Sequence, residues 1–141
     1  MLGDEQVMQI NFMLWLRKNH PEIEKNTFHF ANERKCTVQQ GVLLKRMGVK
    51  RGVLDLFNGM QNHGKSGLWV ELKSGKNKPT KEQIDFMQQQ IANNYAVACC
   101  WSLDGVKSVF NEYFSKDDLG DYFGFIVYKD APIAGGNKIK S

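Results

Sequence analysis

The chain has 141 residues, 42% hydrophobic and 24% charged, with a formal net charge of +4 at pH 7. That size suits one domain with a single core, and no apolar run approaches the roughly 20 residues that cross a bilayer. The N-terminus lacks a basic region followed by an apolar core, so no secretory leader is expected. Cys36, Cys99 and Cys100 are odd in number and form no CxxC, which points to a reducing, cytoplasmic compartment and away from a zinc cluster.

In chain order, residues 5–19 read as an amphipathic helix stopped by Pro21, with Met8, Phe12 and Trp15 on one stripe and Leu16 beside it. Residues 27–31, TFHFA, read as a short strand, and 38–47 as a helix ending near Gly48. GVLDLF (52–57) and GLWVELK (67–73) read as strands, joined in hairpin fashion by a turn-rich segment. Thr80 opens a helix with a capping-box pattern to Gln83, and Ile84, Met87 and Ile91 give it an apolar stripe. YAVACCW (95–101) is a continuous apolar run that suits a buried strand, and 104–114 read as a last helix. The expected order is α-β-α-β-β-α-β-α, an α/β fold with a mixed central sheet flanked by helices. Residues 1–118 then form the domain, and 119–141 an extension holding one further strand and a flexible tail.

Charge is unevenly spread. Residues 34–81 hold eleven basic side chains and only two acids, Asp55 and Glu71. A segment this basic suits a polyanion such as nucleic acid, or is simply a lysine-rich solvated surface. Both acids sit inside strand-like apolar runs.

Alternation puts Val53, Asp55 and Phe57 on one face of the first strand, with Leu54 and Leu56 on the other. Glu71 and Lys73 share a face of the second. Pairing the strands as a hairpin can bring Asp55 close to Glu71 and Lys73. Two adjacent carboxylates repel, a cation relieves the repulsion, and hard oxygens suit Mg²⁺. The plainer reading is an acid–lysine cross-strand pair on a wet face. Glu5 lies in line with the Met8–Phe12–Trp15 stripe, so it either points toward a site beneath the helix or is a first-turn acid favoured by the helix dipole. Gln83 can reach the same site, although capping explains it too. The three histidines have no metal-ligand spacing. His20 reads as a solvent-exposed helix end and His63 as a turn residue. His29, between Phe28 and Phe30, reads as structural or DNA-facing.

The ordered stretches DEQVMQINFMLWL, FHFAN, LLKRMGVKRGVLDLF, GLWVELKSGKNKPTKEQIDFMQQQ and NNYAVACCWSLDGVKSVFNEYF resemble the virus-type replication-repair nuclease (VRR-Nuc) domain of the PD-(D/E)xK superfamily, over roughly residues 4–114. Each stretch is weak alone; their order and spacing are specific. The resemblance implies a restriction-endonuclease-like αβ core that cleaves DNA with Mg²⁺ or Mn²⁺. Asp55 and Glu71 match its metal-binding acids, Lys73 its motif lysine, Glu5 the acid of its first helix, and Gln83 the glutamine after the ExK strand. The backbone carbonyl of Leu72 would be a further metal ligand.

This chain departs from the family at Leu54, where proline is usual, and at Glu33 after Asn32, where glycine is more frequent. Small stand-alone members resemble phage or bacterial homodimers that cut branched DNA such as four-way (Holliday) junctions. On that reading Lys45, Arg46, Lys50, Arg51, Lys76, Lys78 and Lys81 grip DNA phosphates, with no membrane partner. The contrasting expectation is a non-catalytic DNA-binding module on the same fold.

Overall fold

The computed structural model describes residues 1–30, 37–134 and 137–138. The expectations for Asn32–Glu33, for the basic residues Arg34 and Lys35, and for much of the tail lie outside the described residues. Helix α1 (Asp4–Asn19) is followed at once by α2 (Pro21–Lys25), then strand β1 (Thr27–His29) and α3 (Val38–Arg46). The hairpin strands β2 (Leu56–Asn58) and β3 (Leu68–Leu72) precede α4 (Lys81–Ala92), β4 (Ala96–Cys100), α5 (Leu103–Tyr113), a short 3-10 turn and β5 (Val127–Lys129). Two further strands, β6 (Ile133–Ala134) and β7 (Asn137–Lys138), pair only with each other.

Five strands form one mixed sheet in the order β1-β2-β3-β4-β5. The β1–β2 and β2–β3 pairs are antiparallel, and the β3–β4 and β4–β5 pairs are parallel. The expected mixed sheet flanked by helices is therefore present. Helix α2, the 3-10 turn and the β6–β7 pair come in addition to the expected order, and β5 falls in the extension where one further strand is expected. Pro21 ends α1 but also sits in the first turn of α2, where its missing N–H costs nothing. Strand β5 adds an edge to the sheet and places Val127 in the core.

Period-2 burial divides the core into two layers. Leu68, Val70 and Leu72 of β3, with Ala96, Ala98 and Cys100 of β4, face Phe12 and Leu16 of α1 and Val106, Val109 and Phe110 of α5. On the other face Val97 and Cys99 pack with Met87 of α4 and with Leu54, and Trp69 lies against the same cluster. Strand β4 is buried along its whole length, as expected of a parallel strand covered on both sides. Among the described residues, no helix is long and apolar enough to cross a membrane.

The alternation read across residues 52–57 needs correction. Leu54 packs in the α4 layer and Leu56 in the opposite one, so the two do not share a face. Ladder pairing begins only at Leu56, opposite Val70. Residues 53–55 precede the strand, and period-2 logic fails where no ladder imposes it.

Candidate functional site

The candidate site grows from the place where the β2–β3 ladder stops. One step beyond the Leu56–Val70 pair, side chains take over the bonding. The backbone N–H of Asp55 donates to Glu71 Oε1 at 3.2 Å, and Asp55 Oδ2 accepts the N–H of Leu72 at 2.8 Å. Because a strand residue's N–H and C=O point to the same side, the Leu72 carbonyl also faces the Asp55 side. Two bonds from the end of β1 and the residue after it fix Asp55 from behind: its carbonyl accepts the N–H of Phe30 at 3.0 Å and that of His29 Nδ1 at 2.9 Å. His29 is thus a structural donor to the candidate acid.

Glu71 is 1% exposed and Lys73 8% exposed, so the wet-face reading of this strand does not describe them. Glu71 Oε2 accepts from the Gln83 side-chain amide at 2.8 Å and lies 3.3 Å from Lys73 Nζ. Gln83 fills both roles that the sequence left open. Its amide oxygen accepts the Thr80 N–H at 3.0 Å to cap α4, while its NH₂ holds Glu71. Burial, then the charge of Asp55 within hydrogen-bonding reach, push the Glu71 carboxyl up to about 8; Lys73 pulls the other way and does not win.

Glu5 stands apart from this pair. Its Oε2 accepts from the N–H of Ser74 at 3.1 Å, from Ser74 Oγ at 3.1 Å and from Asn77 Nδ2 at 3.3 Å. Among the described residues, no three Asp, Glu, His or Cys side chains converge as a metal-holding group. Asp55 and Glu71 are brought together, and Glu5 is tied to the loop that leaves β3. Ser74 and Asn77 were missed by sequence reasoning, since loop polar residues carry no periodic signal. Trp101 Nε1–H donates to the Asn77 carbonyl at 2.8 Å and anchors that loop to the α4 layer.

The exposed cations surround the start of α4. Lys76, Lys78 and Lys81 lie on the loop and first turn before Gln83. Lys50 and Arg51 precede Gly52, whose backbone abuts Glu82: a Cβ there would meet the Glu82 carbonyl oxygen at 2.6 Å. Lys45 and Arg46 are exposed in the last turn of α3.

Other polar groups have structural partners. His63 Nδ1 accepts the N–H of Leu119 at 3.0 Å, which leaves Nε2–H to donate to the Glu112 carbonyl at 3.0 Å. His20 is half-buried with its ring against Trp15. Cys99 and Cys100 are free and fully buried, and burial pushes both thiols up, so neither is an activated nucleophile. A surface cleft of about 400 Å³ between Asp104 and Leu119 contains none of the candidate residues.

No family model matches the chain, and no curated protein matches it. Among solved structures, a VRR_NUC domain protein superposes with a TM-score of 0.70 at 21% identity, covering 99% of this chain and 100% of the other. The chain therefore has, over almost its whole length, the fold of a VRR_NUC domain protein.

Proposed function

We propose that the protein is a metal-dependent endonuclease that hydrolyses phosphodiester bonds in branched DNA such as four-way junctions. The observation that carries this is the contact of half-buried Asp55 with buried Glu71, beside Lys73, at the end of a β-hairpin ladder. A fold shared with a VRR_NUC domain protein supports the reading.

The donor set fits a hard divalent ion. Asp55, Glu71 and the Leu72 carbonyl would supply oxygen ligands, and a cation would offset both the burial of an ionised Glu71 and its repulsion from Asp55, the two largest causes that raise its carboxyl. Glu5 would join through water, since its carboxylate is held at Ser74. Bound Mg²⁺ or Mn²⁺ would supply Lewis-acid stabilisation of charge on the phosphate oxygens.

The remaining work falls to the chain's own residues. Lys73 positions the attacking water and favours its ionised form through a nearby positive charge. Gln83 fixes the orientation of Glu71, and Asp55 is oriented by Leu72 N–H. Lys45, Arg46, Lys50, Arg51, Lys76, Lys78 and Lys81 hold phosphates on either side of the cut.

A homodimer with two such sites would suit a two-fold symmetric junction. The exposed apolar residues Val7, Ile10 and Leu14 on α1, and Val42 and Leu43 on α3, support self-association. The test is nicking of a labelled four-way junction in Mg²⁺, with a panel of linear and flapped substrates and a measurement of solution mass. Asp55→Ala and Lys73→Ala should each lower the rate by at least about 100-fold. Equal rates in all three proteins would refute the assignment.

A further inference from the structure

The face of the sheet that carries Glu71, with Asp55 bonded at its end, also carries an aromatic row. Register places Phe28 opposite Phe57, and Phe57 opposite Trp69, so the three rings share one face across β1, β2 and β3. Past the last ladder pairs, hydrogen bonds and not strand register set the next row: Phe30, then Asp55, then Glu71. The bonds from Phe30 N–H to the Asp55 carbonyl and from Asp55 N–H to Glu71 Oε1 mark that row. Phe30 thus lies two strand spacings from Glu71, about 10 Å.

Helix α4 covers the inner part of this face, with Phe86 at 5.0 Å from Trp69. Helix α2 lies on the other side of β1, where the Ile23 carbonyl accepts from Thr27 Oγ1 and Asn58 Nδ2. Among the described residues nothing covers the outer part of the site face, and Phe28 and Phe30 are 55% and 40% exposed. Phe30 is backed by other rings. The Phe30 ring meets Trp69 at 5.5 Å, and Trp69 meets Phe57 at 4.6 Å. Exposed phenylalanine on an edge strand invites aggregation, so two such rings, one of them held in place, beside a charged site call for a ligand.

We propose that Phe28 and Phe30 form a stacking platform for an unpaired nucleobase a few nucleotides from the bond held at Asp55 and Glu71. The occupant must offer an apolar π-face to the rings and negative charge to the exposed cations around the start of α4. A nucleotide with its base unstacked meets both demands, and an apolar protein segment meets only the first. This assignment rests on the nuclease reading for its choice of DNA. It adds a source of preference for branch points, where bases come free of the duplex at least cost.

The experiment uses the full chain carrying Asp55→Asn, so that DNA is bound without being cut. A four-way junction carries 2-aminopurine next to the branch point, and its fluorescence reports stacking. The parent should quench the signal. Phe28→Ala/Phe30→Ala should abolish the quench and weaken junction binding about tenfold, with little effect on intact duplex. Phe30→Tyr should retain both properties. Phe30→Leu keeps the apolar volume without the π-face and should lose the quench, which guards against misfolding of the double variant.

Unchanged quenching and affinity in the double variant would overturn the proposal. So would a change in its solution mass, which would make the patch a protein interface. Cleavage by the otherwise unsubstituted chain decides the nuclease reading separately. A chain that cuts nothing yet shows Phe30-dependent quenching would keep the platform and lose the enzyme.

Discussion

Asp55 and Glu71 each bond to the other's strand: Asp55 N–H donates to Glu71 Oε1, and Leu72 N–H donates to Asp55 Oδ2. The ladder that would continue β2 is replaced by two carboxylates. Both acids are thereby fixed by backbone donors, which hold geometry better than flexible side-chain contacts.

The raised Glu71 carboxyl predicts a pH effect on stability. Unfolded, this group ionises near its ordinary 4.5; folded, it keeps its proton to about 8. Between those values the unfolded chain binds fewer protons, so rising pH favours unfolding. In metal-free buffer, Tm should fall by roughly 5 °C or more between pH 5 and pH 8. Glu71→Gln should flatten that dependence, measured by calorimetry. An unchanged slope would refute the assigned cause.

Divalent ions should reverse this loss. A carboxylate must shed its proton to bind a metal, so Mg²⁺ or Mn²⁺ should raise Tm more at pH 8 than at pH 6. Asp55→Asn should lose most of the shift. Chelation should return the unsubstituted chain to its metal-free Tm.

Gln83 separates capping from positioning. Thr80→Ala removes the acceptor for the Gln83 N–H and should cost about 1 kcal/mol of stability with nicking nearly intact. Gln83→Ala removes the other half of the cap and also the donor to Glu71 Oε2. It should match that stability loss and in addition lower kcat about tenfold. Equal kcat in the two variants would leave Gln83 a cap alone.

Leu54 predicts a purely structural effect. It is fully buried among Met87, Val97 and Cys99, so Leu54→Ala should destabilise by about 2–5 kcal/mol in urea unfolding. Nicking by the folded fraction should be unchanged.

Phosphate contacts predict salt dependence. Replacing Lys76, Lys78 and Lys81 together by Ala should flatten the log–log salt dependence of junction binding by up to about 3. An unchanged slope would move the phosphate contacts elsewhere.

Much of this architecture could be read from local pattern. The Thr80–Gln83 capping box and the apolar run of β4 stand where the residues said they would. The 67–73 strand keeps its alternation because five consecutive residues, Leu68–Leu72, pair with β4 and three of them also with β2. Residues 52–57 broke their alternation because only the last part of that run enters a ladder.

Most elements and the Glu71–Lys73 spacing could be read locally, because they follow from spacing within a few residues, and the uneven charge from composition. Long-range packing set the rest. The burial of Glu71 depends on α4 closing over β3, and its partners Asp55 and Gln83 come from separate elements. The tie of Glu5 to Ser74 and Asn77 joins the first helix to a loop some 70 positions later. Such contacts are set by helix-on-sheet packing and strand register, which no local periodicity encodes.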